Sequence, residues 1–285
     1  MKKATHKLLD PILREHRMSG KWKADDVRNI LQELETYDIA VARKKKISLT
    51  VCIISFVVAI VPLFMGFFYL LPLALVGIVF IFLFRRYRSF DIDDQVRLFV
   101  KPVLESLQYD VKKDADIALN LELLPLDNDR YLTSRGEPYA AGAYPKCCDY
   151  TYKRDFLKMK LSLVDGNKLM IGVDEVLTKT EKTKTNPRGK TKKKYKYAKK
   201  TGYSIELKVN TERFSVSRPP VVKNMAEGAP EISIARKDGA TIMNGSFTIK
   251  CKEKSVGKAE ICSDPVMLLG SLTQLYAALK PATTK

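Results

Sequence analysis

Few residues in this chain have the type and spacing that covalent chemistry needs. The two histidines, His6 and His16, stand ten positions apart without an acid spaced to form a relay. Cys147 and Cys148 are adjacent and cannot chelate as a Cys-x-x-Cys pair does. With Cys251 and Cys262 they make a four-thiolate set that lacks zinc-ribbon spacing. Asp91, Asp93 and Asp94 form an acidic cluster, but acids in the first turn of a helix answer to its dipole and need no metal. No phosphate-cradling glycine loop, His-Glu-x-x-His or nucleophile elbow occurs. The sequence therefore predicts a non-enzymatic protein without metal or cofactor.

Charge is where the pattern lies. The 285 residues carry a net charge of +18, and it is concentrated. Between Lys179 and Lys200 there are eleven basic residues against the single acid Glu181, a net +10. Most of the remainder sits in two clusters, Arg43-Lys44-Lys45-Lys46 and Arg85-Arg86-Tyr87-Arg88. Lysines grouped this way can hold phosphates or an acidic surface. Arginine is scarce in the first cluster (Arg188 alone), which argues against base reading.

The elements that position these charges follow from apolar spacing. Leu157, Met159, Leu161 and Leu163 alternate with polar residues, as do Leu169, Ile171 and Val173, and Tyr203, Ile205, Leu207 and Val209. A three-residue loop at Asp165-Gly166-Asn167 pairs Leu163 with Leu169, Leu161 with Ile171 and Met159 with Val173. A turn at Asn186-Pro187-Arg188-Gly189 then pairs Ile171 with Ile205 and Leu169 with Leu207 on the same face. No bulge is needed. The distal part of that second hairpin, 178–198, outruns the core and should project as a two-stranded ribbon. In this register Lys184 faces Lys192 and Lys182 faces Lys194, with Lys190 and Lys196 beside them. These six lysines are the candidate partner- or phosphate-binding residues.

From Asp127 to Tyr152 five tyrosines punctuate an aperiodic stretch, with the rings expected as lids over the adjacent sheet or, alternatively, as a contact surface of a binding loop. Further strands follow at Phe214–Val216, Ile232–Ile234 and in a hairpin pairing Ile242 with Phe247 across Asn244-Gly245. A last helix with Pro265 in its first turn carries Leu268, Leu272, Leu275, Tyr276 and Leu279.

Ile47 to Phe84 contains no charged side chain, a run that would measure roughly 57 Å as one helix, nearly twice the ~30 Å hydrocarbon thickness. Pro62, Gly66 and Pro72 lie where a reversal would fall. The sequence thus predicts a transmembrane helical hairpin, multi-pass, with both termini cytoplasmic by the positive-inside rule. Arg43, Lys44, Lys45, Lys46, Arg85, Arg86 and Arg88 would then meet membrane headgroups. A re-entrant wedge is the alternative for legs this short. The expected fold is α+β: an N-terminal cytoplasmic helical segment (1–46), the hairpin (47–84) and a stalk helix (85–113). After these come a β-meander domain (114–217) carrying the basic hairpin 178–198, a linker (218–230), and strands with a C-terminal helix (231–285). The expected function is a membrane-anchored, non-enzymatic interaction or scaffold module in a larger assembly. It would contact an acidic protein partner, or another copy of itself, through the lysine hairpin. The alternative is an anionic-lipid or nucleic-acid binder using that hairpin, and the last reading is a membrane enzyme with a carboxylate-based site.

Overall fold

In the computed structural model the described residues are 2–63, 72–112, 114–185, 189–216, 231–237, 240–253 and 265–282. The chain order begins α1 (Lys2–Glu15), β1 (Arg17–Lys23), α2 (Ala24–Leu63) and α3 (Pro72–Ser89). A π-helical turn (Val96–Val100) runs into α4 (Lys101–Ser106), followed by β2 (Asp116–Glu122), β3 (Leu132–Arg135) and β4 (Tyr139–Ala141). Three long strands come next: β5 (Tyr144–Ser162), β6 (Lys168–Thr185) and β7 (Thr191–Val209). The chain closes with β8 (Phe214–Val216), β9 (Glu231–Lys237), β10 (Ala240–Glu253), α5 (Pro265–Ala277) and β11 (Leu279–Pro281). The chain divides into two compact units, residues 1–14 with 29–92, and 15–28 with 93–285.

The larger unit is built on strand alternation. Nine of the described strands form one antiparallel sheet in the order β1-β2-β5-β6-β7-β10-β9, with β3 and β4 also paired to β5. Leu119 and Leu121, Leu157, Met159 and Leu161, Leu169, Ile171 and Val173, Tyr203, Ile205 and Leu207, and Met243 and Phe247 are all buried. Their pairings place them on one face. Burying each such side chain contributes about 1.5–3 kcal/mol. Helices close over this face. Phe99 of the π-turn meets Tyr203 with ring centroids 5.8 Å apart, and Leu268, Leu272 and Leu275 form the buried stripe of α5. Pro102 just after that turn cannot donate a backbone hydrogen bond, and the wider helical winding takes up the defect.

The β6–β7 register is the expected one, from Leu169 opposite Leu207 out to Thr185 opposite Thr191. The β5–β6 register is slipped by two. Leu161 faces Leu169, Met159 faces Ile171 and Leu157 faces Val173. A slip of two residues leaves every side chain on its face, so the apolar pattern cannot distinguish the two. The longer loop is held by side chains. Buried Asn167 donates to Asp165 Oδ2 at 2.7 Å and accepts from the Asn210 N–H at 2.7 Å. Tyr276 of α5 donates to the same Asp165 oxygen at 2.9 Å.

Two further departures matter. Asn244-Gly245 is not a turn but lies inside β10, where Gly245 faces Ile205 on β7 and Ile232 on β9. A Cβ there would make ordinary van der Waals contact with Leu275 of α5, at 3.8 Å. The second departure is a bulge in β5: Asp155 pairs with Asp174 and Leu157 with Val173, leaving Phe156 between them. The extra residue swaps odd for even on the core face, so Arg154 and Phe156 are buried alongside Leu157.

The smaller unit corrects the membrane expectation. Among the described residues no helix is long and apolar enough to cross a membrane. The apolar run is shared between two helices: Ile47–Leu63 in α2 is roughly 25 Å long and Pro72–Phe84 in α3 roughly 20 Å. Both fall short of a hydrocarbon core of ~30 Å. The transmembrane hairpin is therefore withdrawn, together with the membrane, multi-pass placement and cytoplasmic termini inferred from it. Gly66, expected at the reversal, lies outside the described residues. In the legs the small residues point inward: Ser48, Cys52, Ser55 and Ala59 are buried, and the Phe56 ring packs against Gly77. Branched residues point outward, with Ile53 55 % and Val79 56 % exposed. Lys45 and Asp91, 2.6 Å apart, tie α2 to the chain just beyond α3.

Candidate anion-docking ribbon and the charge layer beneath it

Along β6 and β7 the core-side face changes character in steps. Val173 and Tyr203 belong to the apolar core, and the next inward positions are Glu175, Thr201 and Lys199, all buried. Beyond them Leu177 joins a smaller apolar cluster with Leu124, Leu126, Tyr131 and Tyr152, against which Tyr150 and Tyr197 pack. The expectation of tyrosine lids thus holds for Tyr131 and Tyr152. Further out the strands carry only polar and charged residues.

The buried layer is a closed set of two cations and two anions. Arg154 lies directly across from Glu175 and donates to its Oε2 from Nε (3.1 Å) and Nη2. The same Nη2 donates to Asp93 Oδ2 at 2.7 Å, while Nη1 donates to the Leu124 carbonyl. Lys199 Nζ stands 2.7 Å from Glu175 Oε1. Burial alone would raise the Glu175 pKa, but Arg154 and Lys199 outweigh it and hold the carboxyl below its ordinary range. For Arg154 burial works against the charge, and Glu175 and Asp93 reverse that and hold it firmly protonated. The Arg154 guanidinium also stacks on Phe156 and Tyr131, 4.6 and 5.6 Å from the ring centroids. Tyr131 in turn donates to Glu122 at 2.9 Å, and its hydroxyl pKa is pushed up to about 12 by burial and then by that bond.

The three aspartates have separate duties. Asp93 caps the following helical turn, accepting from the Gln95 N–H at 3.0 Å, Asp94 pairs with Arg97, and Asp91 with Lys45. Among the described residues no cluster of three metal-ligating side chains occurs. Cys148 donates to the Gly136 carbonyl at 3.2 Å; Cys262 and the side chain of Cys251 lie outside the described residues. On the opposite face of the sheet a cleft of about 380 Å³ is lined by Asp155, Asp174, Lys153, Lys158 and Ser204. The Asp174 carboxyl is raised by burial and by Asp155, but Asp155 is itself exposed and paired with Lys158. That pair of acids makes no enclosed site.

The ribbon is shorter than its charge run. β5 stays paired with β6 as far as Lys146 opposite Thr183, and β10 with β7 as far as Glu253 opposite Tyr197. Among the described residues the stretch from Lys184 to Lys196 outruns both neighbours. Within it and at its base Lys184 faces Lys192 and Lys182 faces Lys194; Lys196 faces Thr180, and Lys190 lies just past the Thr191 pair. Gly189 has φ +76, the left-handed conformation expected of it; residues 186–188 lie outside the described residues.

No family model, no curated protein and no solved structure matches this chain. The two faces of the ribbon must speak for themselves.

They differ. On the core-side face Lys193 sits 2.7 Å from Glu181, which raises its pKa, and Lys179 lies over Tyr195 and Tyr197 at 5.2 and 5.9 Å. On the other face are Lys182, Lys184, Lys192, Lys194 and Lys196, and among the described residues none of them has a carboxylate partner. Lys182 alone has a ring neighbour, Tyr144 at 5.5 Å. Of the flank residues, Arg43, Lys44, Lys46, Arg85, Arg86 and Arg88 are exposed on α2 and α3, and Lys45 is half-buried in its pair with Asp91. Sequence reasoning missed the layer beneath the ribbon. Glu175 and Lys199 could have been found, because both continue an inward-facing alternation. Arg154 could not, because the bulge reverses its parity.

Proposed function

We propose that this protein is an interaction module that docks an anionic partner onto the outer face of its basic ribbon. One observation carries the reading: two lysine pairs face each other across adjacent strands, without a carboxylate partner among the described residues. Like charges directly opposite one another destabilise a sheet by roughly 0.2–1 kcal/mol per pair. Lysines on an edge also discourage pairing with other chains, but that use does not call for lysines set directly opposite one another, whereas an incoming anion turns their repulsion into attraction. The charges are also rigidly presented, since β5 and β10 clamp the strands up to the base of the arm. An assembly role fits the smaller unit as well, where Ile53, Ile54, Val57, Val79 and Phe82 are each more than half exposed. Apolar surface of that extent is typical of interaction sites.

Retention on an immobilised polyanion tests the reading. The full-length variant K182A/K184A/K192A/K194A should elute at clearly lower salt than the parent. A control, R43A/K44A/K46A/R85A, removes the same charge from α2 and α3 and should shift elution much less. Equal shifts would mean that the column reads total charge, and the ribbon would lose its role.

A further inference from the structure

Resting on that reading, we infer that the anion docked by the ribbon is the phosphate backbone of a nucleic acid, bound without regard to base sequence. The outer face of the arm offers Lys182, Lys184, Lys192, Lys194 and Lys196 together with Thr180, and no aliphatic or aromatic anchor among its strand positions. Protein interfaces are built the other way: they draw their affinity from a few buried aromatic, methionine or arginine anchors, and lysine is depleted in them. Stable attachment to a lipid surface likewise takes an apolar insertion beside the basic patch; the strands of the arm carry none on this face, and the nearest rings, Tyr139 and Tyr144, lie on β4 and β5 beside Lys182 at its base.

What the face does have is regularity. Paired lysines are separated by about 5 Å across the strands, and successive pairs by roughly 7 Å along them. A rigid grid of point charges suits a repeating row of phosphates. Lysine on a flexible stem neutralises phosphate without the bidentate fork that arginine uses to read bases. From Lys184 to Lys192 the arm is two strands wide, a width the major groove of a duplex admits, while Lys182, Lys194 and Lys196 stand at its base, where β5 still pairs with β6, and would meet the flanking phosphates. Four to five phosphate contacts follow from the lysines that face outward. Affinity should then fall roughly 150- to 500-fold between 50 and 200 mM salt, from a slope of about −0.9 per neutralised phosphate.

The experiment is fluorescence anisotropy with the full-length chain and three probes: a labelled 20-base-pair duplex of arbitrary sequence, a labelled poly-glutamate peptide, and vesicles containing phosphatidylserine. The expected result is binding to the duplex at least ten times tighter than to either other probe. A duplex of scrambled sequence should bind equally well. K182A/K184A/K192A/K194A should lose most of the affinity and most of the salt slope. Ribbon-dependent binding to poly-glutamate or vesicles that equals or exceeds duplex binding would overturn the nucleic-acid assignment and leave the docking face standing. Binding that is the same for parent and variant with all three probes would overturn both.

Discussion

Two groups of charge sit on the same pair of strands about seven residues apart, and they obey opposite rules. Around Glu175 and Lys199 each cation has an anion and each anion a cation, with Arg154, Glu175 and Lys199 withdrawn from water and Asp93 at the margin. Around Lys184 and Lys192 like faces like, in the open. Burial explains the first: an ion removed from water costs several kcal/mol unless it is paired and hydrogen-bonded, so the interior admits only a balanced set. Exposure explains how the second is tolerated, since water screens the repulsion. It does not explain why the second is there. A charge pattern that the fold requires and one that it merely permits can therefore be told apart by what happens when each is removed.

The largest effect should come from opening the buried set. Glu175→Ala leaves Lys199 without its shown carboxylate partner and Arg154 with Asp93 alone, and should cost about 3–5 kcal/mol in urea unfolding. A loss under 1 kcal/mol would erase the distinction between the two groups. Lys199→Met should cost less, about 1–3 kcal/mol, because Arg154 continues to pair with Glu175 and Asp93. Acid offers a reversible version. The folded pKa of Glu175 is depressed, so its contribution is present above its unfolded value of about 4.3 and is lost as pH falls through the folded pKa. The urea midpoint should drop over that acidic range, and Glu175→Gln should flatten the drop. The smallest effect belongs to the arm: Lys184→Ala with Lys192→Ala should leave the midpoint within about 0.5 kcal/mol, or raise it slightly by relieving a like-charge pair.

How much of this was legible follows from what each signal measures. Alternation reports which face avoids water, so the strands, their shared face and the β6–β7 register to Thr185–Thr191 could be read directly. It is blind to shifts of two, and the β5–β6 slip went unseen until Asn167 and Tyr276 supplied a reason for the longer loop. Asn244-Gly245 carried the chemistry of a turn, but the same two residues continue β10 as a strand paired on both sides. The apolar run from Ile47 reported avoidance of water and said nothing of how far each helix extends, and the hairpin drawn from it overreached. The ribbon's lysines were visible as charge. The same register put Glu181 on the opposite face; its pairing with Lys193 became visible only in the structure.

The central claim is that the arm is separable from the fold and carries the docking. Replacing Lys184–Lys192 with Asn-Gly tests it, joining Thr183 to Lys193, which already face each other across the strands, by a two-residue hairpin turn. Thermal midpoint and polyanion affinity are then measured on one preparation. An unchanged midpoint with affinity reduced at least ten-fold is the predicted result. A midpoint that falls, or an affinity that survives, would contradict it.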